Sequence, residues 1–239
     1  MAIQTVFKRH EIKYVITEEQ CEKLKELFTP YMRGDEYGNS TIKNVYFDTP
    51  SYLLIRNSIE KPVYKEKLRL RGYGDISSTS PVFLEVKKKY KGVVYKRRVR
   101  LTESDAVDYV SGRTRLPDSQ ISREIDYFIS YYKELSPKTV ISYEREAYYS
   151  KTDETFRMTF DRNVLYRQND LSLESSAYGK LILPKGLVLM EVKTAYAIPL
   201  WLTSFLSENK IYKTSFSKYG TAYLDILFQN KKGEAINVR

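Results

Sequence analysis

From Val6 to Ile16 polar and apolar residues alternate, so that Arg9, Glu11 and Lys13 share one face of a strand and Ile12, Tyr14 and Ile16 the other. The same two-residue period is strongest between Tyr64 and Leu101. There Lys65, Lys67, Arg69 and Arg71 oppose Glu66, Leu68 and Leu70; Glu85, Lys87 and Lys89 oppose Val82, Leu84 and Val86. Lys96, Arg98 and Arg100 likewise oppose Tyr95, Val99 and Leu101. A loop at 72–81 and a tight turn near Gly92 separate these three strands. Further strands are predicted at Thr41–Asp48, at Lys138–Tyr149 with Tyr143 and Arg145 on one face, and at Leu187–Thr194 with Glu191 and Lys193 together. Phe156, Met158 and Phe160 alternate with Arg157, Thr159 and Asp161.

Helical spacing appears between the strands. Thr17, followed by Glu18, Glu19 and Gln20, reads as an N-cap, and Leu24, Leu27 and Phe28 supply an apolar stripe. Helices are predicted at Pro50–Asn57, at Glu103–Gly112 behind a Thr102 cap, at Pro117–Leu135, Ile198–Asn209 and Ser217–Gln229. Residues 33–40 read as a polar loop, 163–185 as an irregular excursion, and 231–239 as a frayed tail. The result is an α+β chain of about eight strands in one domain, 1–239. An ordinary barrel hides apolar side chains inside. Here the charged faces are expected to line a tunnel, and the apolar faces to pack outward against the helices.

Composition sharpens this picture. The chain has 239 residues, a formal net charge of +10 and 42% hydrophobic residues, which excludes a disordered protein. The positive balance points to phosphate in some form. Cys21 is the single cysteine, so no internal disulfide forms. No apolar run approaches the roughly 18 residues of a membrane span, and residues 1–20 lack an apolar signal core. The expected location is the cytoplasm. Neither a P-loop nor a dinucleotide fingerprint occurs.

Cationic strand faces have a plain reading as a solvated surface with local salt bridges. Their recurrence on several strands instead suits a multivalent anion, since arginine offers a planar fork to phosphate oxygens and lysine a point charge. Glu11, Glu85 and Glu191 each share a face with a cation two residues on. They either neutralise like charge or hold a divalent metal, Mg²⁺ or Mn²⁺, that bridges phosphate oxygens. Carboxylates amid the cations weigh against a nucleic-acid surface. His10, on the face opposite Lys13, reads as structural.

The pieces FKRHEIKY, NVYFD, KLRLRGYG, FLEVKKK, YKRRVRL, SYEREAY, FRMTFD, LMEVKT and SFSKYG, in this order, resemble the VTC-type polyphosphate polymerase domains of the CYTH, or triphosphate tunnel, superfamily. The resemblance runs from about Phe7 to Tyr223. It implies an antiparallel tunnel barrel whose inner wall binds a phosphate chain. It implies catalytic roles for Lys13, Arg69, Arg71 and Lys87 and phosphate binding by Arg9, Lys96, Arg98, Arg145 and Lys218. Lys67, Arg157 and Lys193 are added from their strand positions. Glu191 matches the carboxylate that holds the metal, with Glu11 and Glu85 as further candidates. The superfamily's first-strand ExExK appears as Arg9-x-Glu11-x-Lys13, which lacks one acidic ligand and favours the polymerase branch. The implied reaction transfers the γ-phosphoryl of ATP to a growing polyphosphate end. A metal-dependent triphosphatase and a non-catalytic polyphosphate-binding module are the alternatives. The expected partners are ATP and a phosphate chain, without nucleic acid.

Overall fold

The structure is a computed structural model, and it describes residues 10–91 and 93–236. Arg9 and the turn residue Gly92 therefore lie outside the described residues. In chain order the elements are β1 (His10–Thr17), α1 (Glu18–Phe28), β2 (Met32–Asp48), α2 (Leu53–Ile59), β3 (Tyr64–Tyr73), β4 (Pro81–Tyr90) and β5 (Val93–Thr102). Then follow α3 (Glu103–Val110), α4 (Gln120–Tyr132), β6 (Ser136–Ser150), β7 (Arg157–Arg167), β8 (Lys180–Leu181), β9 (Leu187–Thr194), α5 (Leu200–Glu208), β10 (Lys213–Thr214) and α6 (Lys218–Ile236).

Eight long strands match the expected number, and β8 and β10 add two residues each. All pair antiparallel in one sheet ordered β10-β1-β9-β7-β6-β2-β3-β4-β5, with β8 on β7. Among the described residues no ladder joins β5 back to β1 or β10, so the barrel is open along one seam. A side-chain contact spans it: Lys87 of β4 lies 3.6 Å from Glu11 of β1.

Alternation decides what each face does. On the convex side Cys21, Leu24 and Phe28 of α1 and Leu202, Phe205 and Leu206 of α5 pack on Met158, Phe160, Met190 and Val192. Ala106 and Tyr109 of α3 and Ile125 and Phe128 of α4 cover Leu68, Leu70, Leu84 and Val86. Not every helix is outside, however. Tyr219, Ala222, Tyr223 and Ile226 of α6, with Ile55 of α2, pack on Ile42, Ile141 and Leu189, which share the concave face with the charged residues. One end of the concavity is thereby closed by apolar packing.

Local signals set the element ends. Thr17 forms a complete capping box, its hydroxyl accepting from the Gln20 N–H at 3.1 Å and the Gln20 side chain accepting from the Thr17 N–H at 3.0 Å. Thr102 caps α3 from one side, its hydroxyl accepting from the Asp105 N–H at 3.1 Å. Asp48 is buried at the end of β2 and accepts from the N–H groups of Thr49, Leu54 and Ile55 at 2.9–3.0 Å and from the Tyr219 hydroxyl at 3.1 Å. One carboxylate so fixes the starts of both α2 and α6. The polar stretch 33–40 is not a loop but part of β2, which pairs β6 on both sides of a register shift between Gly34 and Asn39. Helix α6 continues to Ile236, into the stretch read from sequence as a frayed tail.

Candidate functional site

The concave face encloses a cavity of about 830 Å³. Its wall includes Lys13 of β1, Lys67, Arg69 and Arg71 of β3, Lys87 of β4, Arg145 of β6, Glu191 and Lys193 of β9, and Lys218 at the start of α6. Period-two alternation on five strands accounts for all but the last, which Asp48 holds in place through the neighbouring Tyr219. Twelve lysines and arginines and three carboxylates, Glu11, Glu66 and Glu191, line the space. Such a wall has the charge and the enclosure to suit a compact polyanion.

Like charges at this density are kept together by carboxylates set behind them. Glu85 is fully buried and takes two hydrogen bonds from Arg69 at 2.7 and 2.8 Å and one from Lys96 at 3.1 Å. Asp161, also fully buried, takes two from Arg145 at 2.6 and 2.7 Å and lies 2.5 Å from Lys218. Burial would raise both carboxyls, but the adjacent cations outweigh it and hold both below the usual range. Burial would lower Arg69, Arg145 and Lys218, but Tyr46 and Glu85 raise Arg69, Tyr143 and Asp161 raise Arg145, and Asp161 and Glu191 raise Lys218. Asp161 is the residue that sequence reading left out of the site. Its signal was present in FRMTFD, where it shares a face with Thr159, but the apolar neighbours mark that strand as core.

Lys67, Lys193 and Arg71 also face the cavity; Lys193 has Glu191 beside it, and Arg71 lies 4.0 Å from Glu85. Lys67 donates to the Ser217 hydroxyl at 3.3 Å and lies over the Tyr219 ring. Burial pushes its ammonium down to about 8, with repulsion from Lys87, Lys13 and Lys65 adding to the effect. Lys193 is also brought down to about 8 by burial, although Glu191 is 3.3 Å away. Arg71 donates to the neutral groups Asn44 Oδ1 at 2.9 Å and the Tyr143 hydroxyl at 3.3 Å.

Three predicted phosphate ligands, Lys96, Arg98 and Arg157, do not line this cavity. Arg98 is exposed and lies over the Phe83 ring at 4.7 Å. Arg157, the first residue of β7, pairs with Asp35 at 3.6 Å and lies over the Tyr149 ring. Alternation predicts their face correctly but not their distance along it. Lys96 is exposed and bonds Glu85, which lies behind the wall, at 3.1 Å.

Glu191 is the focus of the wall. Lys13 and Lys218 lie 3.2 Å from it, Lys193 3.3 Å and Arg145 3.6 Å. Burial opposes its ionisation, but these four cations hold it well below the usual carboxylate range. Glu11 stands 3.4 Å from the same Lys13 ammonium. Burial raises Glu11 as well, and Lys87, Lys193 and Lys13 bring it down to about 2. Glu11 and Glu191 are thus ionised, hard oxygen donors that converge on one point now held by Lys13. That donor set fits Mg²⁺ or Mn²⁺ when phosphate oxygens complete the coordination and Lys13 gives way. Glu85 does not fit, because Arg69 and Lys96 occupy both its oxygens. Away from the cavity Glu18, Cys21 and Glu22 also converge. The Arg162 guanidinium fills that cluster, 3.0 Å from Glu18, 3.3 Å from Cys21 and 3.7 Å from Glu22.

An open antiparallel barrel with a cation-lined concavity and buried counter-carboxylates defines the triphosphate-tunnel class of fold. The VTC domain family matches residues 8–226, and the chain belongs to that family. Solved structures agree on the fold. A candidate adenylate cyclase from Bacillus halodurans superposes with a TM-score of 0.55 at 13% identity, over 90% of this chain and 96% of that one. A candidate adenylyl cyclase from Hippeastrum, described as having a dominant triphosphatase activity, gives 0.52 at 17% identity over 87% and 92%. A candidate adenylate cyclase from Vibrio parahaemolyticus gives 0.50 at 10% identity over 91% and 99%. No curated protein sequence matches the chain. Among the described residues no helix is long and apolar enough to cross a membrane.

Proposed function

We propose that the cavity transfers the γ-phosphoryl group of ATP to the end of a polyphosphate chain. A terminal phosphate oxygen forms the new bond to the γ-phosphorus, the bridge to the β-phosphate breaks, and ADP leaves with that bridging oxygen. The observation that carries this reading over hydrolysis is the state of the cavity carboxylates. Glu191 faces four cations, Glu11 faces Lys13 and Lys87, and Glu66 accepts from the Tyr64 and Tyr132 hydroxyls. None of these stands free to take a proton from water, and a phosphate oxygen nucleophile has no proton to remove.

The work left to the protein is positioning and charge compensation. Arg69, Arg71 and Arg145 present fixed forks to non-bridging oxygens. Lys67, Lys193 and Lys87 supply point charge along the chain, and Lys218 closes the end near α6. Glu191, with Glu11, would hold a divalent cation, which would supply positive charge against the charge that develops in the transition state.

The Hippeastrum neighbour's described activity supports a second reading, hydrolysis of triphosphate. One experiment separates them: purified protein is incubated with γ-labelled ATP and Mn²⁺ or Mg²⁺, and ADP, free phosphate and long polymer are resolved. Label in polymer is expected. Label in free phosphate alone makes the chain a triphosphatase, and no turnover with either metal makes it a binding module.

A further inference from the structure

The concave face does not end where the cavity ends. Among the described residues no strand pairs with the outer edge of β5, so that face continues past β4 and is open to solvent there. The register carries the cavity wall onto it in two rows. Arg69 pairs with Glu85, which pairs with Arg98; Arg71 pairs with Phe83, which pairs with Arg100. Adjacent strands lie about 4.8 Å apart, so two strand steps put the Arg100 backbone about 10 Å from that of Arg71. The register places Arg98 and Arg100 on the same face as the cavity wall, and contacts of β5 with β4 agree. Lys96 bonds Glu85 at 3.1 Å, and the Arg98 guanidinium lies over Phe83 at 4.7 Å.

These outer arginines differ from the inner ones in one respect. Inside, Arg69 and Arg145 each have a buried carboxylate as partner. Arg98 and Arg100 are exposed, and neither makes an ion pair with a described residue. Two uncompensated guanidinium groups thus sit side by side on an open strand, continuous with a cation-lined cavity.

We propose that Arg98 and Arg100 bind the part of a long phosphate chain that lies outside the cavity, so that the chain leaves sideways over the open edge at β5. This rests on the cavity holding the chain's reactive end. Evenly spaced anionic oxygens are what such a row recognises, and a chain short enough to fit the cavity does not reach it. Charges on an edge strand also discourage pairing with another sheet. Edge protection alone predicts no dependence on the length of a ligand.

Chain length therefore supplies the test. Binding of triphosphate and of long-chain inorganic polyphosphate is measured for the wild type, for Arg98→Ala/Arg100→Ala and for Arg98→Lys/Arg100→Lys, with melting curves to confirm folding. In the alanine variant triphosphate affinity stays within about twofold, while long-chain affinity falls at least tenfold and depends less on salt. The lysine variant recovers most of the loss. Equal losses for both ligands, or no loss for the long chain, overturn the proposal while leaving the cavity reading intact. Failure of the wild type to bind triphosphate removes the cavity reading and this proposal with it. A fall in duplex DNA affinity with polyphosphate affinity unchanged also overturns the proposal, by assigning the row to nucleic acid.

Discussion

Raising the pH from about 7 to about 9 should weaken triphosphate binding through two lysines. Lys67 and Lys193 are brought to about 8 in the free protein, from an ordinary 10.5. A phosphate chain in the cavity restores their reason to be charged, so the complex holds both protons well above pH 8. At about one pH unit above the free value, recharging one lysine costs about 1.4 kcal/mol, and the pair together costs roughly 100-fold in affinity. Binding in that range takes up protons. The sign for the free fold is the reverse of a salt bridge. Between about 8 and 10.5 the unfolded chain binds more protons than the folded one, so these two groups make the ligand-free protein more stable as pH rises. Triphosphate itself gains charge over the same range, which opposes the trend. Lys67→Arg removes that lysine's part of the effect, because arginine stays charged, and leaves the part of Lys193. Calorimetry in two buffers of different ionisation enthalpy reads affinity and proton uptake together. A wild-type profile no steeper than that of Lys67→Arg, with no proton uptake, would refute the reasoning.

Three further outcomes are expected. Glu191→Gln should keep or strengthen phosphate-chain binding, because it removes an anion from the wall, yet lose metal-dependent turnover; unchanged turnover takes Glu191 out of the metal site. Asp161→Asn leaves Arg145 and Lys218 short of a buried counter-charge and should destabilise the fold by on the order of 3 kcal/mol, with triphosphate restoring more stability to the variant than to the wild type in thermal melts. Thr17→Ala removes the capping hydroxyl of α1 and should cost about 1 kcal/mol in denaturant unfolding without altering triphosphate affinity.

Strand alternation made most of the concave wall readable in advance, since one parity decides whether Arg69 or Leu70 faces the cavity. It says nothing about how far along a strand the cavity extends. Arg157 has the right parity at the first position of β7, where Asp35 and Tyr149 meet it. Arg98 has the right parity on a strand that no described strand closes over. Asp161 escaped because a buried carboxylate among Phe156, Met158 and Phe160 takes its meaning from Arg145 and Lys218, which lie on other elements. The 33–40 stretch reads as a loop by composition, yet tertiary pairing with β6 draws it into β2. The placement of α6 on the concave face was likewise illegible, because an apolar stripe does not say which side of a sheet it meets.

The carboxylates behind the wall carry a consequence for the entropy of binding. Glu85 and Asp161 each clamp a guanidinium through two hydrogen bonds, and Asn44 and Tyr143 steady a third, that of Arg71. These long side chains are immobilised when the protein folds, before any ligand arrives. On a mobile surface each would lose about 0.5–1.5 kcal/mol of rotamer freedom on capturing a phosphate. Sparing that loss for Arg69, Arg71 and Arg145 favours the complex by roughly 2–4 kcal/mol. The incoming chain meets a set of forks already aimed, and its own freezing becomes the main ordering penalty of the encounter.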